Sequence, residues 1–561
     1  MTNSRSFTQR TLNWLEILAI FFISFWLIVV RPLGPNLSQL PGDLGDTRFN
    51  SYILEHDYRW ITGKDSSLWD APFFYPYPQT LTFSDNHFGS MFFYDAFRAS
   101  GLDQETALQA WYLLSYFLSF GAAVYVLNRL GLKPLAIGMG AFFFTFGLPV
   151  LGQENHIQLF YRFCVPLAGY AFWQFSQKQN LKYLAFTLFW LVWQFYLSIY
   201  VGFFLSLLLF AVAIGLPFTQ KFALNNIAPY WPRLIKKAWS SSKISINVFS
   251  IFFIVALLLA LYVLFRPYAL ASEAYKFFRS WREVSQLLPR IQSYFIADHD
   301  ILWQRFASLL APFTAKAVTH RWEHQLFISI PALVLLVTGL FWHFRSPHRK
   351  MVLLFMAAAI FLALLTLNIN GFTFYQILWA LPGFNSIRSI TRIVLVLMWP
   401  IALFISVEVD ALLRISVRPY VFTSIVLLLL GLMAAESIFY NHLTFSNAMA
   451  QARPQMLRVQ IPTHLPKDPV LYVWNSGKDP DYVTELDGML LSQDLGWPTL
   501  DGYSGNFPSG WGAANNCNQA INRIKNYMNF ARIKDPTFYT NLVSRIVPVG
   551  PEVCKWPPKI Q

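Results

Sequence analysis

The sequence predicts an all-α polytopic membrane protein of about eleven transmembrane helices, followed by a small α+β extracytoplasmic C-terminal region. Three observations carry this. Apolar residues make up 55% of the chain and charged residues 13%, a balance a soluble globular domain does not show. Apolar runs of about 20 residues, long enough to cross a bilayer, recur through the first four-fifths of the chain. The lysines and arginines behind the net charge of +14 fall mostly in short connectors between those runs. That placement accounts for the basic excess through the membrane, so no nucleic-acid partner is expected.

In order, the expected spans lie at 13–31, 108–127, 134–151, 161–176, 182–197, 199–217, 246–265, 326–344, 350–369, 391–408 and 419–438. No small-residue cleavage site follows the first run, which is therefore expected to stay as a span. With a cytoplasmic N-terminus, the inside segments carry Arg5, Arg10, Arg129, Lys133, Lys178, Lys182, Lys221, Arg233, Lys236, Lys237, Lys243, Arg345, Arg349, Lys350, Arg414 and Arg418. The first outside loop, 32–107, has four basic residues against ten acids, as the positive-inside rule requires. Loop 266–325 has eight basic residues, but loops of that length weigh little in the rule. The expected organisation is a membrane domain, 1–439, with outer loops 32–107 and 266–325, and an extracytoplasmic region, 440–561. The expected location is the cytoplasmic (inner) membrane. Cys164 falls in an apolar span and reads as packing, whereas Cys517 and Cys554 can pair if the tail is extracytoplasmic.

The cytoplasmic segments show no Gly-rich phosphate loop or nucleotide-binding fingerprint. Chemistry is therefore expected at the outer face, where a lipid-linked donor replaces a nucleotide-activated one. The loop there opens with two carboxylates. Gly42 and Gly45 permit a tight backbone around Asp43 and Asp46, and from Thr47 the positions Phe49, Tyr52, Ile53, Trp60 and Ile61 suit an amphipathic interfacial helix. The carboxylates read either as caps of that helix or as functional groups: a base for an acceptor hydroxyl, or a pair holding a divalent cation. Asp85 and His87 are further polar candidates. The aromatic and proline run at 73–78 reads as an interfacial belt or as a sugar-stacking wall.

Further along, Gln153, Glu154, Asn155, His156, Gln158 and Arg162 cluster after the third span, as a solvated loop or a binding cluster. Before the tenth span, Arg388 and Arg392 are four apart and would share a helix face. Two guanidiniums there suit a phosphate or pyrophosphate headgroup, or snorkel to ordinary lipid phosphates. The apolar stretch 374–381 is too short to span and reads as re-entrant or interfacial. Residues 275–282 read as an interfacial helix guiding an anionic lipid, and 321–325 as surface packing. In the tail, 470–474 reads as a strand, 482–493 as a helix, and 501–508 as a turn able to cover a membrane cavity or stack on sugar.

Asp46, Phe49 and Asn50, then Trp69-Asp70 and Tyr75-Pro76, resemble the first outer loop of the oligosaccharyltransferase catalytic subunit. More broadly, the acidic first outer loop resembles the GT-C superfamily, which includes protein O-mannosyltransferases and lipid A aminoarabinose transferases. The Gly-Asp loop, the His-x-Gln at His156 and Gln158, and the arginines before a late span are similar to GT-C-like bacterial proteins of undefined substrate. The resemblance implies transfer of a sugar from a polyprenyl-phosphate-linked donor, at the outer face, to a glycan, lipid or protein acceptor. It places the catalytic carboxylate at Asp46, with Asp43 as the alternative, and makes His156 and Gln158 substrate-binding, with Glu154 as a second carboxylate. The Trp-Trp-Asp-Tyr-Gly motif of oligosaccharyltransferases is absent, which argues against sequon glycosylation. A second paired-carboxylate motif is absent too, which leaves a divalent cation at Asp43 and Asp46 open. Two other function classes fit the same features: a transporter or flippase for a lipid-linked glycan, and a non-catalytic scaffold of an envelope-polysaccharide complex.

Overall fold

The computed structural model describes residues 2–219, 229–314, 318–342, 346–415, 418–475, 479–551, 554 and 556. Lys221 and Arg345 lie outside the described residues, as do the side chains of Arg5 and Arg10.

The chain is a mainly helical, multi-pass membrane protein. Among the described residues, eight helical segments are long and apolar enough to cross a bilayer: Leu12–Leu33, Gln104–Arg129, Pro134–Leu151, Ile199–Thr219, Ile244–Tyr275, Arg349–Thr366, Ile390–Leu413 and Pro419–Ile438. The three other expected spans are also helices, but shorter: Cys164–Lys178, Leu181–Leu197 and Ile330–Trp342. Two of the span starts are set by side-chain caps. Asp103 accepts from Thr106 N at 2.8 Å ahead of Gln104–Arg129, and Asn180 accepts from Lys182 N at 3.1 Å ahead of Leu181–Leu197. Pro134–Leu151 and Ile390–Leu413 are almost wholly buried and form the centre of the bundle, while Ile244–Tyr275 runs along its outside. Cys164 is buried and unbonded.

The first loop and the tail fold together at one end of the bundle. Strand β1 (Gln39–Pro41) pairs antiparallel with β2 (Thr444–Ser446), setting Leu40 opposite Phe445. Strands β3 (Val470–Val473) and β4 (Ile546–Val549) pair in parallel within the tail, and a Cys517–Cys554 disulfide closes its last segment. The helix Asp46–Ile61 packs on the tail helix Asp481–Leu495, with Arg48 paired to Asp487 at 2.5 Å. One apolar core joins Phe49, Tyr52, Phe73 and Phe83 to Leu486 and Met489 of the tail and to Ala271 and Tyr275 of the long helix. All three loop regions therefore meet in a single core rather than resting separately on the membrane.

Two local expectations change. Asp46–Ile61 does not lie at an interface with one apolar face. Eleven of its residues are buried, because the tail covers the face that would have met lipid. Residues 275–282 are not one helix. The 32-residue helix runs to Tyr275, stops where Lys276 turns left-handed at φ 57°, and resumes as Trp281–Gln286. The stretch 374–381 holds only the short helix Tyr375–Trp379.

Candidate active site

Asp46 is the first residue of its helix, so the N-terminal dipole favours its charged form. The turn before it is fixed by Gly42, at φ +83°, where a Cβ would meet the Glu154 carbonyl at 2.8 Å. Asp43 completes the turn by accepting from Gly45 N at 3.0 Å. The carboxylates thus divide. Asp43 shapes the backbone, and Asp46 faces a cavity of about 200 Å³.

Two ionic networks border this cavity. In the first, Asp46 Oδ2 lies 2.5 Å from His156 Nδ1, an ion-pair contact without well-directed hydrogen-bond angles. Asp46 Oδ1 accepts from the Tyr503 hydroxyl at 2.5 Å. His156 Nε2 lies 2.7 Å from Arg392 Nη2, and Arg392 holds Glu323 through Nε at 3.1 Å and Nη2 at 2.6 Å while its guanidinium sits 4.9 Å from the centre of the Tyr200 ring. A guanidinium only donates, so Nε2 accepts there and the ring proton sits on Nδ1, toward Asp46. Burial and the Arg392 charge disfavour a second proton on His156, but Asp46 and Glu323 outweigh them and raise its pKa. A proton on Nε2 would face Glu323 Oε1, 3.4 Å away. Burial pushes the Asp46 carboxyl up, yet His156, Tyr503 and Arg392 outweigh it and hold it below the ordinary carboxylate value. Asp46 is thus ionised at neutral pH.

In the second network, Arg279 Nη1 and Arg388 Nη1 approach the same oxygen of Glu283, at 3.2 and 3.3 Å. Two guanidiniums share one carboxylate, which leaves one positive charge in surplus on the cavity wall. The Arg388 side chain is 40% exposed and has donors to spare. This surplus is what a phosphate monoanion would neutralise.

The cavity brings together Asp46, His156, Gln158, Asp85, Arg388 and Arg392. Gln158 accepts from Asn50 Nδ2 at 2.9 Å, which aims it into the cavity. Asp85 lines the wall while anchoring the Ile199–Gly215 helix, accepting from Ser198 Oγ at 2.5 Å and Ile199 N at 2.6 Å. Burial raises its pKa to about 6, ahead of those lowering hydrogen bonds. Four expected site residues stand behind the wall. His87 is buried, donates from Nε2 to Asn50 Oδ1 at 2.9 Å, and is kept neutral by burial, with its pKa down to about 3. Glu154 is spent on His442 and on Leu443 N, tying the loop after the third span to the strand β2 approach. Arg162 staples two spans through the carbonyls of Phe144 and Leu395, at 2.8 and 3.0 Å. Asp43 belongs to the turn. Arg388 and Arg392 do not form one clamp either. Residue 388 precedes the 3-10 turn Ile390–Ile393, so the helical spacing does not hold, and Arg392 is consumed by buried Glu323. Arg279 takes its place beside Arg388.

Glu323, Arg279, Tyr200 and Tyr503 are functional candidates that the sequence did not single out. Glu323 falls in a run that reads as surface packing, Arg279 in one that reads as an interfacial helix, Tyr200 in an expected span, and Tyr503 in a turn that reads as a cavity cover, so none stands out singly until the chain folds. Among the described residues no group of three or more ligating side chains gathers as a metal site. Asp46 is engaged by His156 and Tyr503, and Asp43 by its own turn.

No family model matches the sequence, and no curated protein does. Three solved structures are similar in fold. The first is the arabinofuranosyltransferase AftD from mycobacteria, at 12% identity and TM-score 0.42, covering 82% of this chain and 29% of that one. The second is the archaeal oligosaccharyltransferase AglB from Archaeoglobus fulgidus, in complex with an inhibitory peptide and a dolichol-phosphate. It shows 12% identity and TM-score 0.48, over 88% of this chain and 65% of that one. The third is ArnT from Cupriavidus metallidurans bound to undecaprenyl phosphate, at 12% identity and TM-score 0.42, over 88% and 85%. This chain thus spans less than two thirds of the length of the first two.

Proposed function

We propose that this protein is a membrane glycosyltransferase that moves a sugar from a polyprenyl-phosphate-linked donor to an acceptor at the outer face of the cytoplasmic membrane. The single observation that carries the reading is the pairing, across one cavity, of ionised Asp46 with the surplus positive charge of Arg279 and Arg388. The donor phosphate sits against Arg388 and Arg279. An acceptor hydroxyl attacks the anomeric carbon as the bond from that carbon to the phosphate oxygen breaks. The proton goes to Asp46, and polyprenyl phosphate leaves with the bonding electrons. One displacement inverts the configuration. The low pKa of Asp46 keeps the base available, and the acidity of the hydroxyl rises as its bond to carbon forms.

In this reading the N-terminus is cytoplasmic, the tail extracytoplasmic, and the acceptor a glycan, lipid or protein. The test offers the purified protein a panel of radiolabelled polyprenyl-phosphate sugars, with wild type and Asp46→Asn side by side. Transfer or sugar release by wild type alone supports the proposal. Net lipid translocation equal in both proteins, without sugar transfer, would replace it with the flippase reading.

One observation favours that second reading. Glu408, in the Ile390–Leu413 helix, is fully buried with neither carboxyl oxygen hydrogen-bonded. Ionisable groups at such depth mark proton or ion pathways in transporters.

A further inference from the structure

A second cavity lies at the far end of the bundle. A trough of about 830 Å³ runs between the helices Gln104–Arg129 and Leu181–Leu197, beside Cys164–Lys178. Its walls are apolar and aromatic, from Phe117 and Tyr125 on one side to Phe186, Trp190 and Trp193 on the other. From Phe117 to Arg129 it follows a helix for about 18 Å, roughly one leaflet of a bilayer core. Arg129 and Lys178, each the last residue of its helix, close one end. No carboxylate lines the trough, and neither cation makes a salt bridge among the described residues.

We infer that this trough holds an anionic phospholipid, with an acyl chain between the aromatic walls and its phosphate on Arg129 and Lys178. Charge complementarity decides the occupant. Two cations without a carboxylate partner among the described residues, Arg129 hydrogen-bonded to the Tyr170 hydroxyl, cap an apolar channel and match a lipid phosphate, and basic pockets between spans bind such headgroups. A donor lipid is excluded by position. Gln104 reaches Ser51 of the Asp46–Ile61 helix at 3.1 Å, and Arg129 lies 25 residues along the same helix, about 38 Å away. A phosphate on Arg129 is therefore at the opposite membrane face from Asp46. The positive-inside pattern makes that face cytoplasmic, where anionic lipids concentrate. The inference does not depend on the transferase reading.

Gly121 supplies a clean block. It lines the trough, and a Cβ there would meet nothing within 4 Å. Gly121→Leu therefore projects into the channel with no contact at its Cβ, and it favours the helix. The experiment is native mass spectrometry of the full-length protein released from bilayers of equal phosphatidylglycerol and phosphatidylcholine. Wild type is expected to retain phosphatidylglycerol preferentially. Arg129→Ala/Lys178→Ala is expected to weaken that retention by roughly 30-fold, at about 1 kcal/mol per cation. Gly121→Leu is expected to abolish it with the melting temperature unchanged. Equal retention of the two lipids, or retention indifferent to the cation pair, would overturn the site. Retention indifferent to Gly121→Leu would overturn the placement of the chain in the trough.

Discussion

Asp46 and Asp43 are three positions apart and chemically identical, yet their surroundings give them different work. Asp46→Asn removes a charged oxygen pair that faces both His156 and the cavity, and is expected to lower sugar transfer by about 100- to 10,000-fold. Asp43→Asn keeps an acceptor for Gly45 N and is expected to leave transfer near wild type. Equal losses in the two variants would remove the assignment. The pH profile tests the neighbours. Asp46 must be ionised to accept a proton, so activity falls as pH drops through its depressed pKa. His156→Gln removes the strongest influences holding that pKa down, and the acid limb of kcat/KM is expected to move to higher pH. An unmoved limb would take Asp46 out of the rate-determining proton transfer. The arginines separate in the same way. Arg388→Ala is expected to raise the donor KM by about 10- to 100-fold, the loss of a charge-assisted hydrogen bond, with the fold intact. Arg392→Ala strands Glu323 and is expected to destabilise the protein by about 3–5 kcal/mol in a melting experiment.

At the scale of elements, the spans and the loop helix were legible because hydropathy and period act locally. The strand at 470 and the helix at 482 were readable for the same reason, whereas the Cys517–Cys554 pair could be expected only through the topology that puts the tail outside. Spacing misled where the chain leaves regular structure. Arg388 and Arg392 share a face only on a helix that begins two residues after Arg388, and residues 275–282 turn at Lys276 instead of continuing. Polar clusters misled for another reason. Glu154, Arg162 and His87 look exposed in a loop sequence, but each satisfies a buried partner contributed from far along the chain. Tyr503 shows the converse. It reaches Asp46 across 457 positions, a contact set by the tail fold. That loop depends on its own supports. Gly502 packs against the Phe74 ring where a Cβ would collide, and Arg523 holds Glu485 and Asp501 beneath it. Cys517→Ser opens the last tail segment and is expected to lower tail stability by about 2–4 kcal/mol under oxidising conditions. The same melting temperature with and without reductant in wild type would contradict this.

For the whole molecule, the site exists only where the first loop, the long helix and the tail meet, so the tail is part of the cavity wall and cannot be treated as an accessory. The Arg48–Asp487 pair is the link to test. Both side chains are nearly sealed from solvent, at 2% and 6% exposure, and they join the helix that carries Asp46 to the helix beneath Tyr503. Asp487 is also gripped by Arg453 through both of its oxygens. Removing the carboxylate strands the buried Arg48 guanidinium and takes one of its two carboxylate partners from Arg453, and Asp487→Ala is expected to destabilise by about 3–5 kcal/mol. Replacing the buried pair by apolar groups, Arg48→Met with Asp487→Leu, removes the stranded Arg48 charge and leaves only Arg453, which is partly exposed and keeps Asp479 at 2.7 Å. The double variant is therefore expected to be more stable than Asp487→Ala alone. If the tail holds the cavity together, sugar transfer should follow tail protection from limited proteolysis across these variants: lost in Asp487→Ala, recovered in part in the double. Transfer that survives tail release in Asp487→Ala would place the catalytic unit wholly within the membrane domain and reduce Tyr503 to a bystander.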